Sequence, residues 1–336
     1  MQLQDRISAF SALGTAISNL TPSEFEHICI NAQSHNNWFT PDNIQAALNG
    51  IQQYLDKGKL EKWTGHYNLH PTKPRTVGLV MAGNIPLVGF HDFLSILIAG
   101  HKAKVKPSHQ DPFLLPYLTD ILLEIAPTFK DKVAFSEQLN NIDAIIATGS
   151  DNTSRYFRYY FSKYPHIIRK NRTSIGIIKG DESKESLHAL GKDIFQYYGL
   201  GCRNISKLFV PEGYDFKDFF GAIQPYENVR DNHKYVNNYD YNKSIYLVNK
   251  VPHEDNGFLL VTPSQQLVSP ISVLYYEPYN NAEDLNSKID AAQEKIQCIV
   301  SDKGWFQNSF PFGKAQEPAL DDYADGVDVM RFLEEV

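Results

Sequence analysis

Residues 75–108 read RTVGLVMAGNIPLVGFHDFLSILIAGHKAKVKPS, and this stretch decides the fold. Its apolar density suggests a membrane span. Asn84, Pro86, His91 and Asp92 interrupt it, however, and a bilayer would have to bury all four. A buried strand, a turn and a helix fit better. RTVGLVMA is a short run rich in Val and Leu, which predicts a strand. GNIP turns the chain. LVGFHDFLSILIAG predicts a helix ending at Gly100, and KAKVKPS predicts a second strand. Strand, helix, strand is the repeating unit of parallel α/β sheets.

The alternation continues downstream. Asp111-Pro112 reads as a helix start, with Asp as N-cap and Pro at the first helical position. Leu114, Tyr117, Ile121 and Ile125 keep helical spacing after it. KVAFSE and IDAIIATGS are predicted strands. Ser150, Asp151 and Asn152 can cap the next helix, TSRYFRYYFSKY, and TSIGIIKG is a further strand. Open sheets of this kind bind ligands at the carboxyl ends of their strands.

Residues 1 to about 65 read as helical, with polar loops around NAQSHNNWFTPDN and LDKGKLEKW. In the second half, a helix carries Leu187, Leu190, Ile194 and Tyr198 on one face and stops at the glycines before Cys202. NISKLFVP is a strand. QPYENVRDNHKYVNNYDYNK reads as a long polar loop. SIYLVNKV, LVSPISVLYYE and IQCIVSD read as strands, and AEDLNSKIDAAQEK as a helix. The expected fold class is α/β with two lobes. The expected divisions are an N-terminal helical segment 1–70, an α/β domain 71–171, a second α/β domain 172–310, and a tail 311–336. That tail is expected to pack back on the first α/β domain or at a dimer interface.

Composition narrows the function classes. A chain of 336 residues with 42% hydrophobic residues can bury a sizeable core in about two domains. A net charge of -7 provides no global basic field for nucleic acid or an anionic membrane. The run SRYFRYYFSKYPHIIRKNR interleaves aromatics with Arg155, Arg158, Lys163, Arg169, Lys170 and Arg172. Helical spacing favours a packed helix with a solvated basic face over a nucleic-acid surface; a cofactor or coenzyme A phosphate is a further candidate partner. Cys29, Cys202 and Cys298 are too far apart in sequence for a disulfide framework and fit a reduced, cytoplasmic setting. The N-terminus lacks the pattern of a signal peptide. There is no CxxC, HExxH or GxGxxG, so neither a metal site nor the common dinucleotide fingerprint is indicated.

Cys202 lies in YYGLGCRNISKLFVPEG, residues 197–213. A free cysteine is usually an inert core residue. Here Gly199 and Gly201 free the backbone, the thiol emerges between a helix and a strand, and Arg203 beside it could favour the thiolate. Cys29 and Cys298 sit in apolar runs and read as core. Asn84 is either a turn asparagine or an amide aimed at an oxyanion. Lys106 and Ser108 end one strand. Gly149 and Ser150 end another at a helix N-terminus, a place suited to phosphate.

Taken in order, these segments resemble the aldehyde dehydrogenase superfamily. GNIPLVGFHDFLSILIAGHKAKVKPS is similar to its segment with an Asn-aromatic-Pro turn, a helix and a VLKPS strand. IDAIIATGSDNTSRY resembles its FTGS cofactor segment, and YYGLGCRNISKLFVP its Gly-Gln-x-Cys nucleophile segment. QQLVSPISVLYYEPY resembles EEIFGPVL, and SFPFGKAQEPALDDYADGVDVMRFL the C-terminal PFGG stretch. Aldehyde-oxidising members carry an ELGGKSP stretch whose Glu activates water. The place here is IRKNRTSIGII, with Arg169, Lys170, Asn171 and Arg172 and no carboxylate. Without that base an acyl-enzyme has no built-in water activation. The form GxGCRNxSKLFVP resembles the acylating branch, in particular the acyl-CoA reductase (LuxC-like) family, whose bioluminescence members reduce activated fatty acids to aldehydes.

The resemblance implies an aldehyde dehydrogenase-like fold with a Rossmann-like cofactor lobe and a catalytic lobe. It implies Cys202 as nucleophile and Asn84 as oxyanion donor. It places Lys106, Ser108 and His109 toward the adenosine half of NADPH or NADH. Thr148, Gly149 and Ser150 are placed along the cofactor, the last two at its pyrophosphate, and Gln266 near the nicotinamide ribose. His109 stands where the family has a Glu on the adenine ribose, and losing that carboxylate admits a 2′-phosphate. The implied substrate is an acyl-CoA or acyl-protein thioester, with coenzyme A leaving; the implied assembly is a homodimer. Two alternatives stand beside this reading: a dehydrogenase oxidising aldehydes to acids, and a binding subunit that keeps the fold without turnover.

Overall fold

The structure, a computed structural model, describes residues 1–71 and 73–336. It divides into two compact units, Met1–Asn171 with Ala319–Val336, and Arg172–Pro318. Among the described residues, no helix is long and apolar enough to cross a membrane.

The first unit opens with four helices, α1 (Leu3–Ser18), α2 (Pro22–His35), α3 (Pro41–Tyr54) and α4 (Lys57–Thr64). Thr21 and Thr40 cap α2 and α3 ahead of a proline, so short-range chemistry sets these boundaries. Then come β1 (Thr76–Val80), α5 (Phe90–Ile98), β2 (Lys102–Lys106), α6 (Leu114–Ile125), β3 (Val133–Phe135), β4 (Ala144–Thr148), α7 (Asp151–Phe161) and β5 (His166–Arg169). The strands pair in parallel in the order β3-β2-β1-β4-β5. The chain moves outward from β1 on one side and then on the other, which makes a switch point beside β1. Val77, Leu79, Val105, Ile146, Phe93 and Leu97 fill the core between the sheet and its helices. The last helix of the chain, α12 (Val329–Glu335), adds Val329, Met330 and Leu333 to that core. Trp63 on α4 donates its indole N–H to the Tyr323 hydroxyl at 2.7 Å, tying α4 to the segment that leads into α12.

Two details differ from the sequence reading. Helix α6 starts at Leu114 rather than at Pro112, with Phe113 in the N-cap position. Asp111 still serves it, because one carboxylate oxygen accepts the Leu114 N–H at 3.2 Å. In α7, Ser150 is the N-cap and accepts the Thr153 N–H; the proposed capping side chain of Asp151 lies outside what is described. Phe157 and Phe161 pack inward against Ile145 and Ala147. Tyr156, Tyr159, Tyr160, Arg155 and Arg158 face solvent.

The second unit is built on β6 (Thr173–Ile177), α8 (Lys184–Phe195), β7 (Ile205–Pro211), α9 (Lys217–Ile223), α10 (His233–Val248), β8 (Glu254–Asp255), β9 (Leu260–Pro263), β10 (Val273–Tyr279), α11 (Ala282–Asp290), β11 (Ile296–Ser301) and β12 (Phe310–Pro311). Its sheet runs β12-β11-β6-β7-β10-β9-β8, parallel except for the last pair. Here the sequence reading missed β9 and placed Tyr198 on α8, which ends at Phe195, and it fails most plainly at one further place. The stretch read as a polar loop is a 3-10 segment over 224–231 followed by α10, and SIYLVNKV largely continues that helix instead of forming a strand. Asn232 caps α10 through the N–H groups of Lys234 and Tyr235. Asn238, Asn242 and Ser244 bond carbonyls four residues back, so polar residues that compete with helices elsewhere decorate this one. Only Tyr235, Tyr239 and Asn242 are buried, a stripe too narrow to read as amphipathic.

One buried ion pair holds the first unit's sheet to its helices. Arg169, at the end of β5, grips Asp92 in the first turn of α5 with both terminal guanidinium nitrogens, one bond at 2.9 Å; the side chains are 6% and 8% exposed. Asp92→Ala should lower stability by about 3–5 kcal/mol, because it strands a buried cation. Replacing both partners, Asp92→Leu with Arg169→Met, should restore most of that loss. Urea unfolding of the single and double variants checks this, and equal losses in both would contradict it.

Candidate functional site

The parallel register of the first unit aligns three strand ends. Val80 faces Lys106 on one side and Ala147 on the other. The turn holding Asn84 therefore leaves the sheet between Lys106 and the Thr148–Ser150 segment. Packing there is tight: a Cβ on Gly83 would fall 2.5 Å from Ser108 Oγ. Lys106, Ser108 and Asn84 are half-buried, and His109 is exposed. Ser108 Oγ accepts the Gln110 N–H. A Cβ on Gly149 would meet the Phe157 ring at 2.9 Å and Thr153 at 3.1 Å, so glycine is what lets β4 run straight into α7. Ser150 Oγ is engaged with Thr153 at that helix start. The first turn of α7 leaves N–H groups directed at this edge, which favours negative charge. Lys106, Ser108, Thr148, Gly149 and Ser150 thus share the edge with Asn84.

The Asn84 turn is anchored by residues the sequence reading did not assign to it. Asn36, buried, donates its amide to the Gly83 carbonyl at 3.2 Å. Asp111, also buried, accepts the N–H of Leu87 at 3.0 Å. Leu87 sits in the left-handed region, with φ 57, so the turn is held in a conformation it would not keep alone. Burial pushes the Asp111 carboxyl up to about 6 against the pull of its two N–H donors.

In the second unit, Cys202 lies half-buried in the turn between α8 and β7. The chain reversal before it comes from Tyr197, Tyr198 and Gly199, with φ 55, 57 and 77; Gly201 is not left-handed, contrary to the sequence reading. Asn204 holds the turn. Its side-chain oxygen accepts the Gly201 N–H at 2.8 Å, and its amide donates to the carbonyls of Asp193, Ile194 and Gln196 at the frayed end of α8. Ser174 on β6 donates to the Cys202 carbonyl at 2.9 Å. Arg203 extends from the turn to the Ala315 carbonyl, 5.6 Å from the Phe310 ring. Cys29 and Cys298 are buried, and burial raises both thiols, Cys298 to about 11. Gln266 is exposed on the segment after β9, and its neighbours' carbonyls are held by β7: Gln265 by Lys207 at 3.1 Å, Leu267 by Ser206 at 2.6 Å. The loop bearing Gln266 is thus tied to the strand that follows Cys202.

The stretch around Arg169 carries no carboxylate in sequence, yet Asp92 supplies one in space. Because Arg169 engages both its oxygens, that carboxylate is not a base free to activate water. Among the described residues, no group of His, Cys, Asp and Glu could hold a metal ion.

A family profile described as acyl-CoA reductase (LuxC) matches residues 14–224, well over half of the chain. No curated protein matches it. Solved structures share the aldehyde dehydrogenase fold at low sequence identity. A Mycobacterium tuberculosis aldehyde dehydrogenase complexed with NAD+ matches with 14% identity and a TM-score of 0.64, over 90% of this chain and 73% of that one. A Bacillus cereus aldehyde dehydrogenase, also an NAD+ complex, matches with 16% identity and a TM-score of 0.64, over 92% and 72%. Aldehyde dehydrogenase 21 from Physcomitrella patens matches with 12% identity and a TM-score of 0.70, over 100% and 84%.

Asp193 ties α8 to the loop at 313–315, accepting the N–H groups of Gly313 and Ala315. Burial pushes its carboxyl from 3.8 up to about 7, more than those donors lower it. A carboxyl that holds its proton more tightly when folded adds stability below about pH 4 and loses it as the pH rises to about 7. Urea unfolding between these limits should show that decline, and Asp193→Asn should flatten it. An unchanged slope in the variant would contradict the assignment.

Proposed function

Because the chain belongs to the acyl-CoA reductase (LuxC) family, we propose that it reduces an acyl thioester, an acyl-CoA or acyl-protein, to an aldehyde with NADPH or NADH. Membership makes it an oxidoreductase of the aldehyde level. The observation that carries the finer reading is the Cys202 turn. It presents a half-buried cysteine between two elements, clamped by Asn204 and Ser174, while the other two thiols are buried.

In this proposal the Cys202 thiolate attacks the thioester carbonyl, and coenzyme A leaves with its electron pair on sulfur. The Asn84 amide and the Cys202 backbone N–H donate to the oxyanion. An acyl-Cys202 thioester results. Bound reduced nicotinamide supplies the hydride. The cysteine then leaves as thiolate when the thiohemiacetal collapses to the aldehyde. The stretch IRKNRTSIGII lacks the carboxylate that activates water in aldehyde-oxidising relatives, which supports retention of the acyl group over hydrolysis. The edge formed by Lys106, Ser108, Gly149 and Ser150 fits a dinucleotide: it offers an ammonium, a hydroxyl and a helix N-terminus. His109 and Thr148 flank it, and Gln266 takes the nicotinamide ribose.

Three measurements test this. Radiolabelled acyl-CoA should leave label on the wild type and none on Cys202→Ala, and equal labelling would sink the mechanism. Sustained oxidation of an aldehyde to free acid without coenzyme A would sink the reductase reading. Asn84→Ala should lower kcat/KM by roughly 10²–10³ while the protein still folds, as loss of one oxyanion donor does.

A further inference from the structure

At the opposite end of the first unit's sheet, where the chain enters β1 and β2, lies a cavity of about 280 Å³. Arg6, His70, His101 and Lys132 line it with Leu97 and Phe129, and among the described residues its lining holds no aspartate or glutamate. The strands between this end and the Asn84 edge are five residues long, so the two sites stand on the order of 15 Å apart.

Arg6 is the unusual member. It is 5% exposed, and among the described residues it has no ion pair. Each of its three nitrogens donates to a backbone carbonyl: Nε to Ile98 at 2.9 Å, Nη1 to Met1 at 2.9 Å, Nη2 to Leu69 at 2.6 Å. Carbonyls satisfy hydrogen bonds without neutralising charge, and a buried guanidinium is costly without a counter-charge. Burial lowers the pKa of the Arg6 guanidinium, and exposed Asp5 is the one acid opposing that shift. Of the five N–H groups of an arginine, two remain, one on each terminal nitrogen. Gly100 leaves room beside them: a Cβ there would stand 3.0 Å from Nη1.

His101 does not add charge. Its Nε2 faces the Leu333 carbonyl at 2.8 Å and must donate, while Nδ1 accepts the Arg75 N–H. It is a neutral wall, and burial keeps it so. His70 and Lys132 stand at the more open side, and among the described residues neither side chain has a hydrogen bond or ion pair.

We propose that this cavity is an anion site for a compact phosphate group, with the Arg6 fork as its floor and His70 and Lys132 as its rim. A carboxylate would satisfy the fork alone. A phosphate, with a second charge and three free oxygens, also answers Lys132 and His70. Its bound anion bridges α1, the segment before β1 and the segment before β3, which joins the N-terminal helix to the sheet. The site is independent of the acyl chemistry proposed for Cys202.

Calorimetric titration of the full chain with inorganic phosphate, at constant ionic strength, tests it. The expected result is one saturable event that also raises Tm. His70→Gln and Lys132→Gln, both away from the core, should each weaken it about tenfold through loss of a charged hydrogen bond. Ser150→Ala, at the other end of the sheet, should leave it unchanged. Absence of saturable binding overturns the proposal, as does binding lost in Ser150→Ala but kept in both rim variants.

Discussion

A parallel ladder gives every strand of a sheet the same direction, so the chain can turn toward chemistry only at one end. In the first unit this constraint is strict. Val80 stands between Lys106 and Ala147, and the segments leaving those residues are forced to be neighbours. The amide of Asn84, the Lys106 ammonium and the start of α7 come to one edge because of register, although up to some seventy positions of sequence separate them. The same direction rule leaves the other end of the sheet for a different purpose, and the uncompensated Arg6 lies there.

Loops at a strand end have no ladder to hold them, so they are held by side chains. Asn36 and Asp111 fix the Asn84 turn; Asn204 and Ser174 fix the Cys202 turn; Asp193 fixes the loop at 313–315. Each is a buried polar group whose removal would leave backbone donors or acceptors unpaired, which makes the loops costly to deform. Asp111 and Asp193 retain carboxylates in apolar surroundings at the expense of a raised affinity for protons. These clamps tie the turns that carry the candidate residues Asn84 and Cys202 to the elements beside them.

Most of this scaffold was legible in the residues. Strands such as TVGLV and AIIAT announce themselves by continuous apolar runs, and α7 by its Ser150 cap. The helix α10 was not legible, because its buried stripe is narrow and its polar residues usually signal loops. The candidate residues at strand ends were legible through motif order. Their anchors were not: Asn36 reaches Gly83 across 47 positions and Arg169 reaches Asp92 across 77, distances no local pattern encodes. Asn204 shows why proximity alone also misleads. It stands two residues from Cys202 and looks like a turn residue, yet it closes both the turn and the end of α8.

The bond from Trp63 to Tyr323 has an optical consequence. Its indole is buried and hydrogen-bonded to the segment leading into the last helix, while Trp305 in the second unit is 38% exposed with the Lys179 ammonium 4.3 Å from its ring centre. Half-buried Trp38 shares the first unit with Trp63, and Trp305 is the one tryptophan of the second. Release of the C-terminal segment is therefore written in the light of a residue 260 positions away, read against the Trp38 background.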